Sequence, residues 1–267
     1  MRKLVHASLA IALLALFARP AAAQEEEEFN KDTWPLAVNM RPLTLVGGML
    51  EVRGDTVVVN LSDSSVGDPV LVSPHIYYGV NNKLTVGIVH QRSICVAGDA
   101  CDKAYNDVTL DMLYGFMVKG SVQAAGHLGI ALQSFDPFVG GLNVGVLARF
   151  GTGKVALVFD PKIYVGAIGR DEAAFVPTKE YVSVPVRIQL QVNGQTNAFV
   201  STGIEGALEN FGDNYRVPVG LGATFAVNNR LDFGAEFQFG NLGGKVFDGG
   251  PGRIDERWLY GRIALRL

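Results

Sequence analysis

Three of the four histidines, two cysteines and a set of scattered charges are the groups in this 267-residue chain that could do chemistry. His75, His90 and His127 stand among Ser73, Ser93 and several carboxylates. A hydrolase made from such parts needs a hydroxyl, an imidazole and an orienting acid within hydrogen-bond reach. Here they fall in separate segments, and no G-x-S-x-G turn presents a nucleophile. Histidines lining an interior or an interface are the plainer expectation, and no catalytic residue is assigned. Cys95 and Cys101, separated by a short loop containing Ala97-Gly98-Asp99-Ala100, suit a disulfide of an exported chain better than a free pair or a zinc site, which wants four ligands. The run Glu25 to Glu28 reads as solvated acid, because a calcium loop spaces its oxygen ligands around a turn. No metal and no cofactor is expected.

The remaining candidates are charges placed at alternate positions of long segments. They are Asp111, Arg149, Asp160, Lys162, Arg187, Glu205, Asp232, Glu236, Arg262 and Arg266, joined by Glu51 and Arg53. On a barrel they would all face the lumen. One reading makes them a charged constriction that filters solutes. The plainer reading pairs them across a narrow interior, since an unpaired buried charge costs several kcal/mol. With six of each sign, the list carries no ion preference.

The elements that must position these charges follow from a period of two. Val182, Val184, Val186, Ile188, Leu190 and Val192 alternate with Ser183, Pro185, Arg187, Gln189 and Gln191. Leu231, Phe233, Ala235, Phe237 and Phe239 alternate with Asp232, Gly234, Glu236 and Gln238, and four further stretches between Val108 and Phe225 repeat the pattern. Such runs are two-faced strands. Their length approaches the 9–11 residues of a tilted strand crossing a bilayer, against about five or six in soluble proteins.

The connections alternate too. Asn81-Asn82, Lys119-Gly120, Gly151-Thr152-Gly153, Asn193-Gly194 and Asn228-Asn229 are short, and Asn and Gly tolerate the positive φ of tight hairpins. Longer links are expected near 62–69, 92–105, 134–139, 165–180, 206–214 and 241–256. Five short and six long links give about twelve strands, with both ends of the barrel chain on one side. The apolar face changes parity at Gly54-Asp55, which is read as a β-bulge in one strand. Pro74 and Pro185 oppose their strand assignments, because proline removes a ladder donor.

Arg2 and Lys3, the apolar Leu9 to Phe17 and Ala21-Ala22-Ala23 read as a signal peptide cleaved after Ala23. Losing residues 1–23 removes Arg2, Lys3 and Arg19 and moves the net charge from -3 to -6, which is no footprint for nucleic acid. The apolar content of 48% is dispersed, with no mature run long enough for a spanning helix. In hydrocarbon every peptide group needs an internal partner, so such strands must close on themselves.

The segment Arg41-Pro-Leu-Thr-Leu-Val-Gly-Gly-Met-Leu-Glu-Val52 resembles the approach to the first strand of some proteobacterial porin-like barrels, and Ser73 to Gly79 followed by Leu84 to Gly87 has the same character. Trp258 to Leu267 looks like the C-terminal strand that the barrel-assembly machinery recognises, with leucine where the last residue is usually aromatic. The resemblance implies the bacterial outer membrane, with its lipid and that machinery as partners, and passage of small solutes; it assigns no functional residue. The expectation is therefore an all-β, transmembrane, antiparallel up-and-down barrel. Residues 1–23 form the signal peptide, 24–47 a periplasmic N-terminal segment and 48–267 the barrel. Its rivals are a closed barrel acting through external loops, a lipid-modifying barrel enzyme, and a soluble β-sandwich with Val184, Ile188 and Phe237 packed between two sheets.

Overall fold

The computed structural model describes residues 29–62, 66–90, 94–99, 101, 105, 107–119, 121–151, 153–172, 176–245 and 254–267. The leader, its cleavage point after Ala23 and the run Glu25 to Glu28 lie outside them.

The alternating runs become twelve antiparallel strands closed into one barrel. They are β1 (Leu50–Asn60), β2 (Val70–Val72 with Pro74–Asn81), β3 (Leu84–Val89 with Ile94–Ala97), β4 (Val108–Lys119), β5 (Val122–Phe135) and β6 (Phe138–Phe150). After them come β7 (Val155–Phe159 with Lys162–Ile168), β8 (Tyr181–Gln191), β9 (Thr196–Ala207), β10 (Tyr215–Arg216 with Val219–Ala226), β11 (Leu231–Phe239) and β12 (Arg257–Arg266). Each strand pairs with its neighbours in sequence, and β12 returns to β1 with Glu51 opposite Arg266 and Asn60 opposite Trp258. Among the described residues no strand lacks a neighbour on either side, as a bilayer requires.

The parity change in β1 is a bulge: the register against β12 shifts between Asp55 and Val57 within one strand. The prolines sit where the ladder is already broken. Pro74 opens the second part of β2 after Ser73, and Pro218 lies in the gap of β10. Pro185 lies inside β8 beside the Asp160-Pro161 break of β7, and its carbonyl accepts the Asp160 N–H.

Two local expectations change. The asparagines of the short turns work through their side chains, not through positive φ. The Oδ1 of Asn81 accepts the N–H groups of Lys83 and Leu84, that of Asn193 those of Gln195 and Thr196, and that of Asn228 those of Arg230 and Leu231. These are Asx turns, in which the amide oxygen stands in for a backbone carbonyl. The link at 134–139 is also not long. Phe135 pairs with Phe138 across Asp136-Pro137, so β5 and β6 run to 14 and 13 residues.

Apolar side chains cover the outside. Leu110, Ile130, Val144, Ile188, Val200, Leu221 and Phe237 are exposed, whereas Thr109, Asp111, Asn143, Gln189, Asn197 and Glu236 are buried. This inverts a water-soluble protein and matches a hydrocarbon surround. It also overturns the β-sandwich, since Ile188 and Phe237 point away from any second sheet. Val144 stands mid-strand in β6 on the outer face. Val144→Arg is expected to lower stability by about 2–4 kcal/mol. Urea unfolding in lipid vesicles checks this, and an unchanged midpoint would contradict the membrane belt.

Candidate functional site

The apolar cluster buried inside the molecule lies at the short-turn end. Trp34, Leu45, Val46 and Met49 form it, with Phe29 and Tyr77 packed against them. All but Tyr77 belong to the segment that precedes β1. Residues 29–49, which take in the described part of the segment 24–47 expected to precede the barrel, fold into its mouth.

The segment is tied to four of the five short turns or the strand ends beside them. Thr44 Oγ1 donates to the Asn82 carbonyl at 2.7 Å, and Asn82 Oδ1 accepts the Gly47 N–H at 2.9 Å. Asn39 Nδ2 donates to the Gly153 carbonyl, and its Oδ1 accepts from Asn197 Nδ2, both at 3.0 Å. Gln191 Oε1 accepts from the Asn39 N–H and from Asn197 Nδ2. Asn229 Nδ2 reaches the carbonyls of Lys31 and Asp32. A three-residue 3-10 turn, Val38–Met40, places Asn39 and Arg41 for these contacts.

Arg41 is the anchor. Its guanidinium binds Asp232 of β11 bidentately at 2.5 and 2.9 Å, and also holds the carbonyls of Pro35 and Leu36. Burial works against the charge and holds the Arg41 pKa below its ordinary value, while Asp232 pulls the other way. Asp232 also receives Arg266 Nη2 at 2.6 Å. Arg266 pairs with Glu51 at 2.7 Å, and Glu51 with Arg53 at 2.6 Å. From the opposite wall Arg149 donates to the carbonyls of Val38 and Arg41 and to Gln123. Segment and barrel thus share one charged network, in which removing a single partner strands a buried charge.

Above this floor lies a partly enclosed cavity of about 370 Å³. Its lining joins Trp34, Val38, Arg41 and Leu45 of the segment to Arg53, Arg187, Arg262 and Arg266, with Leu113 and Leu147 from β4 and β6. Glu236 sits behind it, accepting Arg262 Nη2 at 2.6 Å, Arg187 Nη2 at 3.5 Å and the Ser201 hydroxyl. Further along the lumen His127 bonds Asp111 and lies 3.9 Å from Asp160, which pairs with Lys162 at 2.8 Å. Glu205 stands opposite Arg216 in the sheet register. Of the ten charges singled out in the sequence, Arg149, Asp232 and Arg266 meet the segment, Arg187, Glu236 and Arg262 form a second group, and Asp111, Asp160 and Lys162 surround His127.

Sequence reasoning passed over Arg41, Asn39, Asn197 and Trp34. Their signal was available in outline: a tryptophan, an arginine and several leucines are unusual in a solvated linker, which favours Gly, Ser and charge. Cys95 and Cys101 are joined in a disulfide beyond the β3 interruption, at the long-loop end. At that end Arg170–Glu180 and Lys179–Glu209 pairs tie loops together, and the Arg170 hydrogen bond holds the Glu180 carboxyl below its ordinary range. His90 is held by the Pro74 carbonyl and the Tyr105 hydroxyl.

Neither a protein-family profile nor a curated protein matches the sequence. Among solved structures, the NanC porin superposes with a TM-score of 0.54 at 11% identity, covering 80% of this chain and 97% of the porin. The KdgM porin gives 0.53 at 6% identity, covering 82% and 97%. The fold shared with these structures is the closed antiparallel barrel. Outer membrane phospholipase A from Escherichia coli stands at 0.42 with 9% identity, covering 89% and 98%, too distant to argue from. At such identities the likeness is one of fold.

Asp232→Ala leaves Arg41 and Arg266 buried beside a missing partner. The expected loss is about 3–5 kcal/mol. It should be accompanied by new chymotryptic cleavage after Leu36 or Leu43, which native-gel and mass analysis of the cut protein would detect.

Proposed function

We propose that this protein is a small-solute channel of the bacterial outer membrane whose short-turn mouth is closed by its own residues 29–49. The observation that carries the reading is a closed barrel with an apolar belt around a charged lumen and a cavity directly above the segment. Under this reading residues 1–23 are the export signal, removed after Ala23. Residues 24–47 stay on the periplasmic side, residues 48–267 span the membrane, and barrel-assembly machinery and outer-membrane lipid are the partners. The ten lumen charges then line or brace the solute path. No catalytic role is assigned; His127 is held by Asp111 and Asp160, and Asp160 by Lys162.

A second reading has one observation in its favour: the buried segment could seal the barrel permanently, leaving the long loops as the active surface. Planar-bilayer recording separates the two. The channel reading expects low or no conductance from the full mature chain, and stepwise conductance when 29–47 are deleted or when Asn39→Ala and Arg41→Gln are combined. Membranes that stay sealed with every folded variant would reject the channel.

A further inference from the structure

Counting signs in the sequence balances the lumen; exposure does not. The carboxylates of Glu51, Asp232 and Glu236 are 2–6% exposed, sunk into the wall. The guanidinium side chains of Arg53, Arg187 and Arg262 are 38%, 32% and 24% exposed. Glu51 and Glu236 therefore lie deeper than the arginines they hold, Arg53, Arg187 and Arg262, whereas Asp232 is as buried as Arg41 and Arg266; the better-exposed charges of this group are cationic. The arginines are also held against aromatic rings. Arg53 lies 5.2 Å from the Tyr77 ring centroid, and Arg187 and Arg262 lie 4.3 and 5.6 Å from that of Phe199. Those rings sit low because the facing residue on the next strand is glycine. A Cβ at Gly87 would come 2.5 Å from Tyr77 and one at Gly222 2.4 Å from Phe199. Ring and buried acid together fix a flat, forked donor, which is how carboxylate recognition is pre-organised.

The rest of the lining differs. Arg53, Arg187, Arg262 and Arg266 come from β1, β8 and β12, one arc of the barrel. Leu113 and Leu147 come from β4 and β6 on the other arc, and Leu45 and Val38 from the segment. The cavity thus presents its exposed arginines on one side and leucines on another, although Arg149 of β6 and Arg41 of the segment, both buried, also line it; its volume is usual for a small organic ligand.

We propose that this cavity binds a small organic acid with an apolar body. Its carboxylate meets Arg53, Arg187 and Arg262, and its hydrocarbon part lies against Leu113, Leu147 and Leu45. The site rests on the channel reading only for access from solution; binding in detergent micelles does not require conduction. Residues 29–49 form the floor, so the ligand and the segment stabilise each other.

Equilibrium dialysis of the refolded full mature chain in detergent tests this with benzoate, its neutral isostere benzamide, and lactate as a hydrophilic acid. Benzoate is expected to bind at least tenfold more tightly than either, and to change the fluorescence of Trp34, which lines the cavity beside Arg266. Arg53→Gln and Arg187→Gln should each weaken benzoate at least fivefold while leaving the barrel's heat-modifiable gel shift intact. Arg53→Gln leaves Glu51 paired with Arg266, so folding is protected. No benzoate binding, equal binding of benzamide, or undiminished binding by both folded variants would overturn the anion site. Equal binding of lactate would overturn its apolar half. A protein that binds benzoate yet never conducts would refute the channel and leave the site standing.

Discussion

A peptide group surrounded by hydrocarbon has no water to bond, and leaving one unpaired costs several kcal/mol. The pairing of β12 with β1 answers that requirement for the whole sheet, since every other strand already lies beside its neighbour in sequence. From ring closure follow the outward apolar set, the inward polar set and the need to fill or hydrate what is enclosed. The interruptions of the ladder at Pro74 and Pro218 lie towards the long-loop side of their strands, and that at Pro161 lies mid-strand. The N-terminal segment docks at the short-turn end.

That segment solves a second problem. The barrel spends its large apolar residues on lipid, so its interior has little to pack with. Trp34, Leu45, Val46 and Met49 bring in the apolar cluster that the lumen lacks. Charges cement it: Arg41 arrives on the segment, Asp232 waits on β11, and Arg266 and Glu51 extend the network across the closing seam. Burial makes such a network worthless by halves, because each arginine is tolerable only while its carboxylate is present. The same chain of pairs carries Arg53 to the cavity. The floor, the seam and the Arg53 part of the cationic wall are therefore one energetic unit, and Arg187 and Arg262 are held separately by Glu236.

Glycine and aromatic residues divide the inner wall between them. Where Gly87 and Gly222 face Tyr77 and Phe199, a ring can lie against the sheet instead of crossing the lumen. Space is kept open, and the arginines gain a shelf. Glycines also face the group around His127, Gly145 opposite His127 and Lys162 and Gly129 opposite Asp111, and there the charged side chains close into compact ion pairs.

Much of this was legible in the residues. A period of two over long runs, repeated short turns and the parity change at Gly54-Asp55 determined the strands, their number and the bulge, because which face a strand residue takes is a local property of the backbone. The lumen placement of Arg187, Asp232 and Arg266 follows from the same parity. The mouth-filling role of 29–49 could not follow, since contacts such as Arg41 with Asp232 and Asn39 with Asn197 join residues far apart in the chain and exist only after the ring has closed. The balance of charge was likewise undecided by counting. Depth in the wall, and not number, sets which charges are exposed to the cavity, and depth is a property of the folded sheet.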